Sequence, residues 1–347
     1  MKIIIALDGT QHSSATLNFI LSHKWPFGTW IKLVHVAPTE KGVMNFVAHA
    51  FGKENNCDYD SVEEVMIGIA QEASARLEDV SISAEVLKGD PVETLLRFAD
   101  TFKPDIIVTG CRKKTAVDTL VLGSVSQTLL NKSNYPVVIV RGNHDATAPH
   151  PFSNVLVPVD DSEPSGAAIE WLQRQEWLKQ SHLALLSVTD PMHTGTMSSV
   201  KTVSESMLTH EKDQMVMDGL LSKWEALLRR KNTAKEITRG TADGLPSEVI
   251  LKGAHNWPAH LIVMGAHSRN GIAKMVLGSV SQYISTHADC SVMIIKGFES
   301  EFYEHYKKAV LDSMTIDDLL EERPTARYDQ SPPGLGGGGH IPPTGLF

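Results

Sequence analysis

No block of basic residues interrupts the 347-residue chain, and its formal net charge is −9. Nucleic acid and anionic membrane surfaces both require clustered Lys and Arg, so neither is an expected partner. No apolar run approaches the roughly 18 residues that begin to suggest a membrane-spanning helix. The opening MKIIIALD reaches Asp8 too soon for a signal-peptide core, so a cleaved leader is not expected. Cysteine is scarce. Cys57, Cys111 and Cys290 are far apart and odd in number, which excludes a disulfide framework and a Cys-x-x-Cys metal site and suits a reducing, cytoplasmic setting. Signatures of chemistry are missing too: there is no GxxxxGK[S/T], no SGG-type pyrophosphate loop, no GxSxG and no clear general base.

Several partial motifs fail on inspection. Gly334–Gly339 matches GxGxxG literally, but it lies in a Pro-flanked terminal segment with no strand before it. His210-Glu211 starts an HExxH pattern that Gln214 breaks, so no zinc site is expected there. His255, His260 and His267 lack a matching acidic or Cys partner and read as ordinary polar residues. Cys111, beside Arg112 and Lys113, reads as a packed thiol. Met217, Leu221, Trp224 and Leu228 have helical spacing and read as a core stripe.

What the chain does have is a repeat. The heptapeptide VLGSVSQ occurs at Val121–Gln127 and again at Val276–Gln282, 155 residues later. Gly110 and Gly265, Gly89 and Gly244, Pro91 and Pro246, and Gly142 and Gly297 keep that offset, while ALD at Ala6–Asp8 faces PVD at Pro158–Asp160 with an offset of 152. The chain therefore reads as two homologous units, 1–143 and 153–298, followed by a charged helix at 299–322 and a Gly/Pro-rich tail at 323–347. Apolar residues make up 42% of the sequence, enough for two cores. The last 17 residues hold six Gly and four Pro, a composition that supports no core.

Each unit alternates short apolar runs with amphipathic stretches. KIIIALD, IKLVHVA, ISAEVLKG, DIIVTG and PVVIV are the strands expected in the first unit, and NVLVPVD, HLALLSV, AKEITRG, HLIVMG and SVMII those in the second. Apolar strands separated by helices imply a doubly wound parallel sheet with both faces covered. For a Rossmann-like order of 3-2-1-4-5, ligands bind between strands one and four, where the order reverses. That directs attention to Asp8 and Asp160 after strand one, and to the segments from Gly110 and Gly265 after strand four.

The segment GAHSRNGIAKMVLGSVSQ ends a strand at Gly265 and opens a helix at Gly278-Ser279. Small residues, main-chain N–H groups and a helix N-terminus make an anion site suited to phosphate, to which Arg269 and Lys274 would add charge. The same glycines would equally serve a tight turn and close helix–sheet packing. Asp8 and Asp160 could accept hydrogen bonds from a ribose hydroxyl or an adenine amino group, or could cap the following helix.

With these residues in place, the chain over about 1–298 resembles the universal stress protein family in its tandem form. The resemblance rests on IIIALDGTQHS and VLVPVDDSEPS, GDPVETLLRFA, DIIVTG and LIVMGAHSR, and LGSVSQ before a final strand. Nucleotide-binding members carry G-x2-G-x9-G-(S/T) after strand four. Gly265-x2-Ser268-x9-Gly278-Ser279 keeps that spacing with Ser in the second place, and Gly110-x2-Lys113-x9-Gly123-Ser124 keeps it with Lys. The resemblance implies an adenine-nucleotide ligand, ATP alone or with Mg2+. It implies that Asp8 and Asp160 meet the adenosine part and that Val36 and Val188 contact adenine through their main chain. Ser268 is small enough for a nearby phosphate, whereas Lys113 is long and Ala116 replaces the glycine found at Gly271, so the second unit is the better expected site. Members of the family usually pair through the last strand, which here would be an intrachain contact between 136–140 and 292–296, with a homodimer open beside it. Three functions follow: a cytosolic ATP-binding stress or signalling protein, an interaction protein of the same fold without nucleotide, and an enzyme of a related fold. No catalytic residue is assigned, and at most slow ATP hydrolysis is expected.

Overall fold

The computed structural model describes residues 1–8, 12–37, 59–113, 120–141, 152–190, 203–266 and 277–296. Met1–Glu304 is one compact unit. The segments 299–322 and 323–347 lie outside the described residues.

The most apolar runs become the most central strands. In the first half, β1 (Lys2–Ala6), β2 (Thr29–Ala37), β3 (Val80–Lys88) and β4 (Ile106–Gly110) are followed by a two-residue antiparallel ladder, β5 (Arg112–Lys113) with β6 (Leu120–Val121), and then by β7 (Val137–Val140). The order is β3-β2-β1-β4-β7, all parallel. Ile3–Ile5, Ile106–Val108 and Val137–Val140 are buried on both faces, as a doubly covered parallel sheet requires. The second half repeats the arrangement with β8 (Asn154–Pro158), β9 (His182–Thr189), β10 (Glu236–Asp243), β11 (Leu261–Gly265) and β12 (Ser291–Ile295), in the order β10-β9-β8-β11-β12. The expected 3-2-1-4-5 order is thus present in each half. The β5–β6 ladder was not expected from the sequence.

Helices cover both faces: α1 (His12–Leu21), α2 (Tyr59–Arg76), α3 (Pro91–Phe102) and α4 (Ser124–Lys132), then α5 (Glu163–Gln173), α6 (Val203–Arg230), α7 (Pro246–Asn256) and α8 (Ser279–His287). The GDP motif starts α3. Asp90 is its N-cap, accepting from the N–H groups of Val92 and Glu93 at 3.1 and 2.9 Å, and Pro91 supplies a pre-set first turn. Gly89 before it has φ of 138°, a conformation that disfavours any side chain. In α6, Leu221, Trp224 and Leu228 form the buried stripe, while Met217 is half-buried.

β7 and β12 pair antiparallel, with Val137 opposite Ile294, Val138 opposite Met293 and Ile139 opposite Val292, so the two halves form one ten-stranded sheet. On one face of this junction Leu122, Leu130, Val137 and Ile139 share an apolar cluster with Ile262, Ile284, Val292 and Ile294. Elsewhere His23 stacks on Trp25 at 5.0 Å and meets Phe152 edge-on at 4.6 Å and Trp177 at 5.9 Å. An aromatic cluster therefore also links the halves.

Two cations complete the junction, each following the last strand of its half and 155 residues apart. Arg141, 2% exposed, donates through Nη2 to the Ser285 carbonyl in the last turn of α8. Lys296, 6% exposed, donates through Nζ to the Asn131 carbonyl in the last turn of α4 at 3.0 Å. Each half thus caps a helix of the other with positive charge, where the carbonyl ends carry negative dipole. Burial pushes the Lys296 ammonium down to about 8.

Candidate functional site

β8 and β11 are parallel neighbours at the point where the strand order of the second half reverses. Past β8 the chain turns through Asp160, half-buried, into α5. Asp160 Oδ1 accepts from the Ser162 N–H at 3.1 Å, from the Ser162 hydroxyl and from the Ser165 hydroxyl at 2.6 Å. The Asp160 N–H donates to Ser165 Oγ at 3.1 Å. Ser162 is also the N-cap of α5. The DDSEPS sequence therefore folds into a closed turn that fixes the Asp160 carboxylate by one oxygen. Among the described residues, Oδ2 has no hydrogen-bond partner.

Gly265 ends β11 beneath this turn. A Cβ there would lie 2.5 Å from Pro164 carbon atoms in the first turn of α5. The glycine permits that close approach of helix and strand. Ala266 then accepts from the Gly278 N–H at 2.7 Å, closing the two ends of the intervening loop, and Ser281 Oγ donates to the Gly265 carbonyl at 3.0 Å. Gly278 is the N-cap of α8 and provides no side-chain cap, and the Ser279 residue that follows is exposed. The first-turn N–H groups of α8 consequently lack a capping acceptor from the N-cap side chain. Ser268 and Arg269, with Gly271 and Lys274, lie outside the described residues. Val188, half-buried, lies beyond the last β8–β9 pairing, Pro158 with Leu186. Its main chain is therefore past the end of β8, at the carboxyl end of the sheet.

The first half carries equivalent parts with different detail. Asp8 is exposed, and its Oδ1 accepts from Ser13 Oγ at 3.1 Å. Gly110 ends β4 and its carbonyl accepts from Ser126 Oγ at 2.9 Å. Gly123 is the N-cap of α4, again without a side-chain cap, followed by exposed Ser124. Lys113 pairs through its main chain with Leu120 in the β5–β6 ladder, so the start of this loop is a strand pair. Val36 is half-buried at the end of β2. Beside it His35 is buried, and its Nδ1–H donates to the Leu7 carbonyl at 2.8 Å. Burial lowers the His35 pKa against the opposing effects of that carbonyl and of Asp8. The corresponding residue of the second half is Ser187, whose buried hydroxyl has no partner among the described residues.

Sequence reasoning missed Ser162 and Ser165, which orient Asp160. It also missed Ser126 and Ser281, although the repeated heptapeptide contained them, and His35, whose signal was one polar residue inside an apolar strand. Of the histidines considered in the sequence, His255 is exposed and His260 Nδ1 accepts from the Asn154 N–H at 3.1 Å, while His267 lies outside the described residues. Cys111 is buried. Among the described residues no group of His, Cys, Asp or Glu is placed to share a metal ion, and no helix is long and apolar enough to cross a membrane.

The sequence model of the universal stress protein family matches this chain twice, over residues 1–141 and 151–296. A universal stress protein of Mycolicibacterium smegmatis is 24% identical over 305 residues, 85% of this chain and 96% of its own. A universal stress protein of Mycobacterium tuberculosis is 26% identical over 230 residues, 66% of this chain and 73% of its own. Among solved structures, a universal stress protein from Archaeoglobus fulgidus superposes with a TM-score of 0.55 at 20% identity, covering 86% of this chain and 97% of its own.

Proposed function

Because the chain belongs to the universal stress protein family, with one family unit in each half, we propose that it is an adenine-nucleotide-binding protein with a regulatory role in a stress response, that ATP is the ligand, and that the second half holds the better site. The observation that carries this reading is the Asp160 turn. Its carboxylate is held by Ser162 and Ser165 through one oxygen, which leaves the other for a ribose hydroxyl or an adenine amino group. A fixed acceptor binds without the entropy cost of ordering it. Asp8, its counterpart in the first half, is exposed, and its Oδ1 accepts from Ser13 Oγ. Across the reversal point α8 begins at Gly278-Ser279 with first-turn donors that suit phosphate oxygens. Val188 adds main-chain groups beyond the end of β8. These parts fit a nucleotide. Ser268 and Arg269 are proposed to line its phosphates, with Lys113, Gly110, Gly123 and Ser124 forming the weaker equivalent in the first half. The bound ligand acts as a signal, and no group here is assigned a role in its hydrolysis.

A second reading also has support. The Gly278 N–H is taken by Ala266, and the bareness of Gly265 is accounted for by Pro164. Both fit a structural loop in a protein that works through its surfaces. The test is to denature the purified full-length chain, identify any released nucleotide, and titrate the refolded or nucleotide-free chain with ATP by calorimetry. Binding that is lost in Gly278→Val supports the nucleotide reading, because a branched side chain would occupy the phosphate position. No released nucleotide and no ATP heat would favour the interaction protein.

A further inference from the structure

The row of the sheet that holds Arg141 also carries two thiols. The register that pairs Gly110 with Val140 and Val292 with Ile139 sets Cys111 on one flank of Arg141 and Cys290 on the other. The Cys111 N–H donates to the Val140 carbonyl at 3.3 Å, and the Arg141 N–H donates to Ser291 Oγ at 3.0 Å. The three side chains share the face covered by α8. Cys111 belongs to the apolar cluster of Val137, Ile139 and Ile284, Cys290 packs against that cluster, and the guanidinium reaches the Ser285 carbonyl in the same helix. The equivalent row of the seam, offset by 155 residues, holds Ala266, Lys296 and Tyr135. Lys296 caps its helix with no thiol beside it, so capping does not require one.

A guanidinium keeps its proton at any ordinary pH, and burying it without a nearby anion is costly. Arg141 is almost wholly buried. Among the described residues no carboxylate forms an ion pair with it, and exposed Asp289 acts on it through charge alone. Its Nε and Nη1 are buried donors without an oxygen or nitrogen acceptor among the described residues. The side chain that lies against the guanidinium is Cys111. Burial lowers the Arg141 pKa, and the Cys111 contact opposes that. A cation in contact favours the thiolate, the reactive form of cysteine. Cys290 differs, since burial pushes its thiol up to about 11.

We propose that Cys111 is a modification site, a thiol made reactive by Arg141 and oxidised by a hydroperoxide to a sulfenic acid that the same guanidinium then holds. The inference does not depend on nucleotide binding. The Cys111 thiolate attacks one peroxide oxygen, so that an S–O bond forms as the O–O bond breaks. The leaving hydroxide takes up the proton that the thiol had released and departs as water. Sulfur gives up two electrons and the peroxide accepts them. Sulfur is a weak hydrogen-bond acceptor and a hydroxyl oxygen a good one, so the product supplies the acceptor that Nε and Nη1 lack. Cys111 is 7% exposed, which suits a small oxidant. A disulfide with Cys290 is not the product. The two cysteines stand one strand to either side of Arg141, and strands about 4.8 Å apart put their Cα atoms roughly 9–10 Å apart, beyond the limit of about 7 Å for a disulfide.

The experiment treats the native full chain with hydrogen peroxide over a range of pH, stops the reaction with catalase, and denatures the protein in dimedone to trap sulfenic acid. Peptide masses then give the rate at each cysteine. The expected result is a dimedone adduct at Cys111 that forms faster than at Cys290, with a rate–pH midpoint below the value of about 8.5 of an ordinary thiol. Arg141→Met should slow the Cys111 reaction at pH 7 about fivefold or more and raise the midpoint, and Arg141→Lys should restore part of the rate. Preferential oxidation of Cys290, a Cys111–Cys290 disulfide peptide, or an unchanged profile in Arg141→Met overturns the proposal. Should Arg141→Met fail to fold, the wild-type and Arg141→Lys profiles decide, and a wild-type midpoint at or above about 8.5 overturns it.

Discussion

Replacing Gly265 with alanine tests the contact on which the Asp160 turn stands. The added methyl would lie 2.5 Å from Pro164 carbon atoms, against an ordinary contact distance of 3.4–4 Å, so the first turn of α5 must retreat by about 1 Å. The obstacle is main chain and a proline ring, which cannot rotate aside. Ser165–Leu172 of the same helix are all buried, so the helix has nowhere free to go. Overpacking of this kind costs about 1–3 kcal/mol. Gly240 supplies the control, since nothing lies within 4 Å of a Cβ there and alanine should leave stability unchanged or raise it by about 0.5 kcal/mol. Urea unfolding of both variants gives the comparison, with an unchanged slope showing that the midpoint shift is one of stability. Retreat of α5 also displaces Ser162 and Ser165, so ATP affinity should fall along with stability. A Gly265→Ala protein as stable as the Gly240→Ala control would refute the packing assignment. One that is destabilised yet binds ATP normally would separate the Asp160 turn from the site.

Asp160→Ala should weaken ATP binding roughly 10- to 100-fold, the loss of one hydrogen bond to a charged acceptor of about 1.5–3 kcal/mol, with any slow hydrolysis recovering at saturating ATP. Unchanged affinity with lost single-turnover hydrolysis would instead make that carboxylate catalytic. Lys296 gives a pH signature. Below about 8 both folded and unfolded chains hold its proton, whereas between about 8 and 10.5 only the unfolded chain does, so in that window this group makes the fold more stable as pH rises. Lys296→Met should remove that rise from the urea midpoint measured against pH, and a variant profile parallel to the wild type would contradict it. Deleting residues 323–347 should leave both the urea midpoint and ATP affinity unchanged, because the segment offers little apolar material to a core.

The repeat made most of the sheet legible. Once VLGSVSQ had been seen twice, the runs IIIA, IIVTG and VVIV had counterparts at fixed offsets, and strands buried on both faces announce themselves by continuous apolar residues. GDPVE likewise states its own cap and first turn. The junction was less visible. Arg141 and Lys296 are single polar residues after apolar strands, and nothing local says that each reaches a carbonyl in the other half. The candidate site divided in the same way. Asp160 was readable from its place after strand one, but Ser162 and Ser165 act on it through a turn whose shape depends on Pro164 meeting Gly265. The two possible reasons for a bare Gly265, ligand approach and helix approach, leave the same letter in the sequence, and the packing of Pro164 against it is visible only once α5 is in place.

The β7–β12 seam has a hereditary consequence. In a dimer of identical chains every substitution appears at both sites, so neither can change without the other. Here the two sides of the seam are separate stretches of one chain, and their close association is ensured by the linkage itself. One side is free to drift while the other keeps its task. The pairs Arg141 and Lys296, and His35 and Ser187, are differences that a dimer of identical chains could not carry.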